Sequence, residues 1–489
     1  MLTTFTAPAF AKTWYIEDGD ITISASETKG TNKVSQGAEP EVEYTGTIIT
    51  NREKDASSHT VTINAGNDKV EVTLDNVNIK ADSGSALISK GDVTLTLKGD
   101  NHLTGGNGGS SSYGGDGITS SGSLTISGGT VTATGGDSTS SVGSGGSGIY
   151  SVSGGVTVSG GTVTANGGDS KDGDGGSGSG SHGGNGIYSS SGVAISGGAV
   201  TANGGDSKDG SGGNGIYSSG GVTISSGSTV TANGGDGEDG SGGRGITSNG
   251  GVTVSGGTVN AKGGSGKNGN GGDGIRSFNP VAISGGTVKS NGGSGNLSGG
   301  NGIISYDIDL SGSLELTAKA GSPNGKALSR VGSELDLNTI KDKLDPGAKV
   351  TATDADGKVI QQVSIPRPVE PEEPSSSSDS GSATPSAPAS FLPGLTVTDK
   401  DSQRISYTST QSGNTLTVCV GRFTASLRIS LAALRQLRAE GIDTITFQTI
   451  LCSTTLSVDE LLAMGGEDAE VVLTHHIRSS TLTVGGKAV

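Results

Sequence analysis

Gly192-Val193-Ala194-Ile195-Ser196-Gly197-Gly198-Ala199-Val200-Thr201-Ala202-Asn203 is the phrase on which the fold turns. Val193 and Ile195, then Val200 and Ala202, alternate with small or polar residues at the period of two that marks a strand with one buried face. Ser196-Gly197-Gly198 interrupts the alternation where the chain has to bend. Just upstream, Gly186-Ile187 supplies a further short apolar stretch.

The phrase repeats. Gly-Ile recurs at Gly117-Ile118, Gly148-Ile149, Gly186-Ile187, Gly215-Ile216, Gly245-Ile246, Gly274-Ile275 and Gly302-Ile303, with successive isoleucines 31, 38, 29, 30, 29 and 28 residues apart. Each unit then reads as three strands. In one unit they carry Ile216, then Val222 and Ile224, then Val230 and Ala232; in the next, Ile246, then Val252 and Val254, then Val259 and Ala261. The intervening Thr, Ser and Asn face outward, and the Ser-Gly-Gly and Asn-Gly-Gly corners are expected to supply positive φ.

Three strands per unit with no helix between them cannot make a doubly wound sheet, whose parallel strands need long crossovers. They can coil, each strand pairing with its counterpart one unit along. The sequence therefore predicts an all-β fold, a right-handed parallel β-helix with three short strands per coil of about 30 residues. A lone coil buries too few small side chains to recover the entropy of ordering it, so coils must stack. Asn166, Asn203 and Asn233 then fall in one column, where their amides can bond to one another. Val72-Thr73-Leu74, Leu87-Ile88 and Val93-Thr94-Leu95 read as less regular coils upstream, and Ile308, Leu310, Leu314 and Leu316 continue the series downstream. Residues 12–60 are expected to cap one end. Leu335 to Ile365, with a short helix near Asn338–Leu344, would cap the other.

Composition alone points elsewhere: 91 Gly, 30% hydrophobic and 3% aromatic residues suggest a flexible polymer. The repeats overrule that. The net charge of −16 disfavours a nucleic-acid partner, which would need clustered Lys and Arg. No apolar run approaches the ~20 residues of a membrane-spanning helix. Ala7-Pro8-Ala9-Phe10-Ala11 looks like the cleavage end of a secretory signal, so residues 1–11 are read as a truncated signal remnant and the protein as secreted or cell-surface.

Residues 12–365 form the β-helix with its caps, and 366–394 form a Pro/Glu/Ser-rich linker. Residues 395–489 form a small α/β domain. Its signals are alternating strands at Thr415–Val418, Thr444–Phe447, Val471–Thr474 and Thr481–Val484, and helices at Ser430–Arg438 and Val458–Met464. Cys419 and Cys452 lie in or beside two of these strands, a candidate disulfide that spacing leaves open.

Two outward columns are candidate sites. Asp137, Asp169, Asp206 and Asp236 recur at one position of successive coils, and carboxylates stacked about 4.8 Å apart either hold calcium or are relieved by Lys171 and Lys208. Tyr150, Tyr188 and Tyr217 each follow a Gly-Ile pair. They form either a platform for pyranose rings or a ladder that stabilises the sheet. For catalysis, Arg244, Lys262, Lys267, Arg276 and Lys289 read as scattered surface charge. His59, His102, His182, His475 and His476 show no triad or metal-ligand spacing, so no catalytic residue is assigned.

The run from Val72-Thr73-Leu74-Asp75-Asn76 through Ala86-Leu87-Ile88 to Val93-Thr94-Leu95-Thr96-Leu97-Lys98-Gly99-Asp100-Asn101, with the repeats after it, resembles a clostridial family of secreted carbohydrate-binding β-helix proteins over roughly residues 14–320. That resemblance implies a polysaccharide-lyase-like fold and calcium-dependent binding of cell-wall polysaccharide. The C-terminal domain is similar to modules of Firmicute surface proteins. The function expected is thus non-catalytic carbohydrate binding, with polysaccharide as partner. The alternatives are a structural or adhesive stalk, a polysaccharide lyase, or an ice-binding array built on outward Thr157, Thr162 and Thr164.

Overall fold

The computed structural model describes residues 11–366, apart from 29, 110–112, 140–142, 172–180 and 331, and residues 395–488, apart from 400–403, 406, 413, 421, 423, 450–452, 465–468, 477–479 and 486. Two compact units divide at Glu370 and Pro371. Most of the expected signal remnant and linker, and Cys452, lie outside the described residues.

The first unit is a parallel β-solenoid of about 11 turns. The seven isoleucines of the Gly-Ile pairs form one unbroken column of parallel pairings, extended by Leu87 at one end and Leu328 at the other. All seven are fully buried. A second column stacks Val156, Val193, Val222 and Val252, and a third Val163, Val200, Val230 and Val259. These small side chains interlock in one continuous core, which explains how so apolar-poor a chain folds. Ser151, Ser189, Ser218 and Ser248, two residues after their isoleucines, also point inward. Their hydroxyls donate to glycine carbonyls of the next corner at 2.6–3.1 Å, so no buried polar atom is stranded there.

The two kinds of glycine corner do different jobs. Ser-Gly-Gly corners do use left-handed backbone, as at Gly161 (φ 79°) and Gly198 (φ 75°). Of the Asn-Gly-Gly corners, Asn249-Gly250-Gly251 does (Gly251 φ 105°), but those that follow the third strand, at Asn166, Asn203, Asn233 and Asn291, do not, contrary to the expectation. They serve close approach instead. Glycines after the Asn-Gly corner (Gly136, Gly168, Gly205, Gly235, Gly264, Gly293) alternate along the axis with glycines just before Gly-Ile (Gly115, Gly146, Gly184, Gly213, Gly243, Gly272, Gly300). Each N–H donates to the carbonyl of the glycine before it in the zigzag, at 2.7–2.9 Å, without a gap from Gly106 to Gly321. A Cβ on Gly205 or Gly213 would overlap a neighbouring backbone carbonyl. This backbone zipper draws together the two ends of each Gly/Ser/Asp loop beside the three-sided core. The loops themselves stack through bridges Ser138–Ser170–Ser207–Gly237–Gly266.

The ends are closed by antiparallel strands, as a solenoid's open edges require. Ile21–Ala25 pairs antiparallel with Asn32–Gln36 at one end, and Lys349–Thr353 pairs antiparallel with Val359–Ser364 at the other. The expected short helix is a 3₁₀ segment, Leu337–Lys343, capped by the Asp336 side chain.

The second unit holds a five-stranded antiparallel sheet, from Leu395–Thr398 to Lys487–Ala488, and a four-stranded sheet, Thr408–Ser412 to Ser453–Ser457. Helix α1, Leu431–Ala439, is capped by Ser430 and buries Leu431, Leu434 and Leu437. Helix α2, Val458–Ala463, is capped by Ser457. Both follow the sequence reading. His475 is fully buried between the hydroxyls of Thr449 (3.2 Å) and Thr454 (2.9 Å), and burial lowers its pKa.

Candidate functional site

The strand that carries each anchoring isoleucine alternates in, out, in, so the residue after Ile faces outward, and in the coils of Ile149, Ile275 and Ile303 the residue three after Ile lies exposed at the bend that ends the strand. Tyr150, Tyr188 and Tyr217 occupy the first of these positions on consecutive coils, as expected, in direct register. Their rings stack on each other, with centroids 4.8 and 5.0 Å apart and planes within 25° and 5°. Both faces of Tyr188 are therefore covered by its neighbours. What the ladder offers to solvent is ring edges and phenol oxygens, one of which accepts a hydrogen bond from Asn249 Nδ2 at 3.4 Å. Burial, with Tyr188 and Asp116 nearby, raises the Tyr150 phenol pKa. A groove of about 370 Å³ runs beside the ladder, lined by His182, Asn185, Asn214 and Arg244.

Sequence reasoning missed the rest of this face. Arg276 and Ile304 continue the column of Tyr150, Tyr188 and Tyr217 beyond Thr247. The position three after Ile carries Val152, Phe278 and Tyr306 on the coils of Ile149, Ile275 and Ile303. Among the described residues nine large hydrophobic side chains are exposed, and these are three of them, at 47%, 45% and 62%. Counting outward positions from every Gly-Ile pair, rather than matching repeated residues, would have found them.

Arg244 and Arg276 are not scattered surface charge. Both reach Asp273 Oδ2, at 3.4 and 3.6 Å, and that carboxylate is only 8% exposed. Its other oxygen accepts from the Asn301 backbone and amide nitrogens, each at 2.8 Å. Burial, and then Arg276, lower the Arg244 pKa. Two cations thus share one buried anion beneath the middle of the strip.

The aspartates form the expected column on the loop side, in a different arrangement from a bare stack of charges. Asp137 Oδ1 accepts the backbone N–H of Asp169 (3.0 Å), Asp169 that of Asp206 (2.9 Å), and Asp206 that of Asp236 (2.7 Å). Asn107 starts the series by accepting from Asp137 N at 3.1 Å, so an amide oxygen does the same work. Lys171 pairs with Asp137, and Lys267 with Glu238. Burial first, then backbone and neighbouring carboxylate effects, leave the Asp206 pKa raised. A groove of about 580 Å³ lies over this column. Among the described residues no group of three or more His, Cys, Asp or Glu side chains is placed to hold one metal ion.

Other sequence candidates resolve simply. Thr164 stands in a column of Thr132, Thr164, Thr201 and Thr231 that continues into Asn260 and Lys289, while Thr157 and Thr162 each pair with an alanine one coil along, Ala194 and Ala199. The half-buried Cys419 lies 3.5 Å from Gln448 Oε1, and its candidate disulfide partner Cys452 is outside the described residues. Among the described residues no helix is long and apolar enough to cross a membrane. No family model, curated protein or solved structure matches this chain.

Proposed function

We propose that this chain is a secreted or cell-surface carbohydrate-binding protein without catalytic activity, which holds linear polysaccharide along the isoleucine-bearing face of its solenoid. The observation that carries the reading is the gathering of Tyr150, Val152, Tyr188, Tyr217, Phe278 and Tyr306 on one face of a chain with only 3% aromatic residues. Exposed apolar surface of that extent on a soluble scaffold is a mark of ligand contact. Asn, Ser and Arg side chains among the rings supply the polar groups that sugar hydroxyls need. The flat, rigid sheet fixes them in advance, which lowers the entropic cost of holding an extended chain. The titratable groups along the strip are engaged, Arg244 and Arg276 with Asp273, Asp116 with Thr119 and Ser147 N, and His182 Nδ1 with Ser211 N, which favours binding over acid–base chemistry. The resemblance of the repeats to clostridial carbohydrate-binding β-helices and the signal-like Ala7–Ala11 segment support the same reading and its extracellular setting.

The test is a pull-down of the full chain on insoluble cell-wall polysaccharides together with a glycan array. Saturable retention on at least one polysaccharide is expected; no retention across the panel would overturn the reading. A stalk is the second reading, favoured by one observation: the tyrosine ladder satisfies its own ring faces, as a purely structural device would.

A further inference from the structure

Phe278 and Tyr306 differ from the tyrosine ladder in what covers them. Among the described residues the ring pairs are Trp14–Tyr44, Tyr150–Tyr188, Tyr188–Tyr217 and Phe447–His475, so neither ring is stacked on another. Both follow a short strand, Ile275–Ser277 and Ile303–Ser305, at the first bend, and Phe278 N donates to Ser248 O at 3.0 Å, which fixes its backbone to the coil before. With Arg276, Ile304, Ser305 and Gly332 they line a groove of about 250 Å³. The Arg276 guanidinium sits 5.0 Å from the Phe278 ring centre while also reaching Asp273. It is thereby held in place with donor N–H groups left over, since a guanidinium carries five.

We propose that this groove, rather than the tyrosine ladder, is the sugar-stacking subsite. Its ligand is a pyranose residue with an uninterrupted axial C–H face, carried in a linear glycan. The inference rests on the carbohydrate-binding reading and assigns its contacts. A pyranose of that kind is amphipathic, with C–H bonds above and below the ring and hydroxyls around its rim. The groove matches it: the exposed Phe278 and Tyr306 rings meet the C–H side, and the Arg276 guanidinium beside them meets the hydroxyls. The ladder is less suited, because stacking covers both faces of Tyr188 and one face each of Tyr150 and Tyr217. It instead continues the strip: Tyr217 lies two coils from Phe278, roughly 10 Å along the axis. A neighbouring sugar of the same chain would meet its phenol oxygen there.

The experiment compares the full chain with Phe278→Ser/Tyr306→Ser and with Tyr150→Ser/Tyr188→Ser/Tyr217→Ser. The probes are β-glucan, xylan and chitin, with starch and mannan as counterparts whose geometry interrupts the flat C–H face. The groove variant is expected to lose at least tenfold in affinity with an unchanged melting temperature, because both rings are exposed. Phe278→Tyr/Tyr306→Phe should bind like the unmodified chain. Undiminished binding by the groove variant, or loss confined to the ladder variant, overturns the site while leaving carbohydrate binding intact. Equal binding to starch and to β-glucan overturns the ligand class. No binding by the unmodified chain sinks the function and this site together.

Discussion

Replacing Gly213 by alanine should damage the solenoid far more than the same change at Gly221, eight residues away in the same coil. At Gly213 the new methyl would overlap the carbonyl of Gly184, so one of the two backbones must move. Gly213 also donates to Gly205 O at 2.8 Å and accepts from Gly235 N at 2.9 Å, and both bonds run along the axis that would have to open. Two weakened backbone bonds cost about 1–3 kcal/mol, and local overpacking about 1–3 kcal/mol more. The reduced freedom of the unfolded chain returns only about 0.4–1 kcal/mol. The net loss is therefore roughly 1–6 kcal/mol, with these ranges taken together. At Gly221 the nearest atom to an added Cβ is Gly251 O at 3.7 Å, an ordinary contact, and φ is not left-handed. Alanine there should be neutral or stabilising by about 0.4–1 kcal/mol.

Denaturant midpoints of the two variants give the first comparison. A solenoid can open one coil at a time, so amide exchange gives the second. The amides of Gly213 and Gly235 should lose protection in the Gly213 variant and keep it in the Gly221 variant. Equal midpoints, or a worse result at Gly221, would refute the zipper as a source of stability.

Ile216→Asp would bury a carboxylate at a position with no exposure and should cost upward of ~3 kcal/mol, seen as a lower melting temperature and lost β signal; an unchanged melt would break the inward register. Asp206→Asn should leave the column's hydrogen bond intact, as Asn107 shows an amide can accept it, so the variant should melt no lower than the parent in EDTA. If millimolar Ca²⁺ raises the parent's melting temperature and not the variant's, calcium bridges the column; identical curves for the parent with and without Ca²⁺ remove calcium. His475 has a folded pKa below its unfolded value, so its contribution is fully present above the unfolded pKa near 6.5 and is lost as pH falls through and below it. The C-terminal unit should therefore weaken as pH falls below about 6.5, and His475→Gln should flatten that slope; a slope identical to the parent's would refute the assignment.

How far the sequence reads depends on which atoms carry the signal. The isoleucine column was legible because a side chain must be apolar to be buried, and seven Gly-Ile pairs at near-constant spacing leave one stacking solution. The amide ladder was legible for a similar reason: Asn203 and Asn233 each donate to the preceding Asn at 2.9 Å. Gly168, Gly205 and Gly235 were not, because glycine in a Gly/Ser/Asp run reads as freedom, and only backbone coordinates reveal that it is there for closeness. The tyrosines were found, yet their ring orientation could not be, since register fixes which residues neighbour each other and not the torsion that turns one face onto the next. Arg244 and Arg276 converge only because Asp273, on the loop before Ile275, is drawn under both.

The zipper also explains an irregularity that would otherwise count against the fold. Ile149 and Ile187 are 38 residues apart, against 29 for Ile187 and Ile216. The three sheets do not register the difference: Ile149 still pairs with Ile187, Val156 with Val193 and Val163 with Val200. Most of the surplus falls between two zipper glycines, Gly168 and Gly184, which are 16 positions apart where Gly205 and Gly213 are 8 apart. Because Gly184 still donates to Gly168 at 2.8 Å, as Gly213 does to Gly205, the chain leaves and re-enters the core at the same place in both coils. Loop length is thereby uncoupled from core register. The strand bearing the Ile anchor begins three residues after the returning glycine in every coil, so the outward residues that follow it, from Tyr150 to Tyr306, are placed by the zipper and the core. A face positioned in that way can keep its spacing while the loops closed by the zipper change in length and charge.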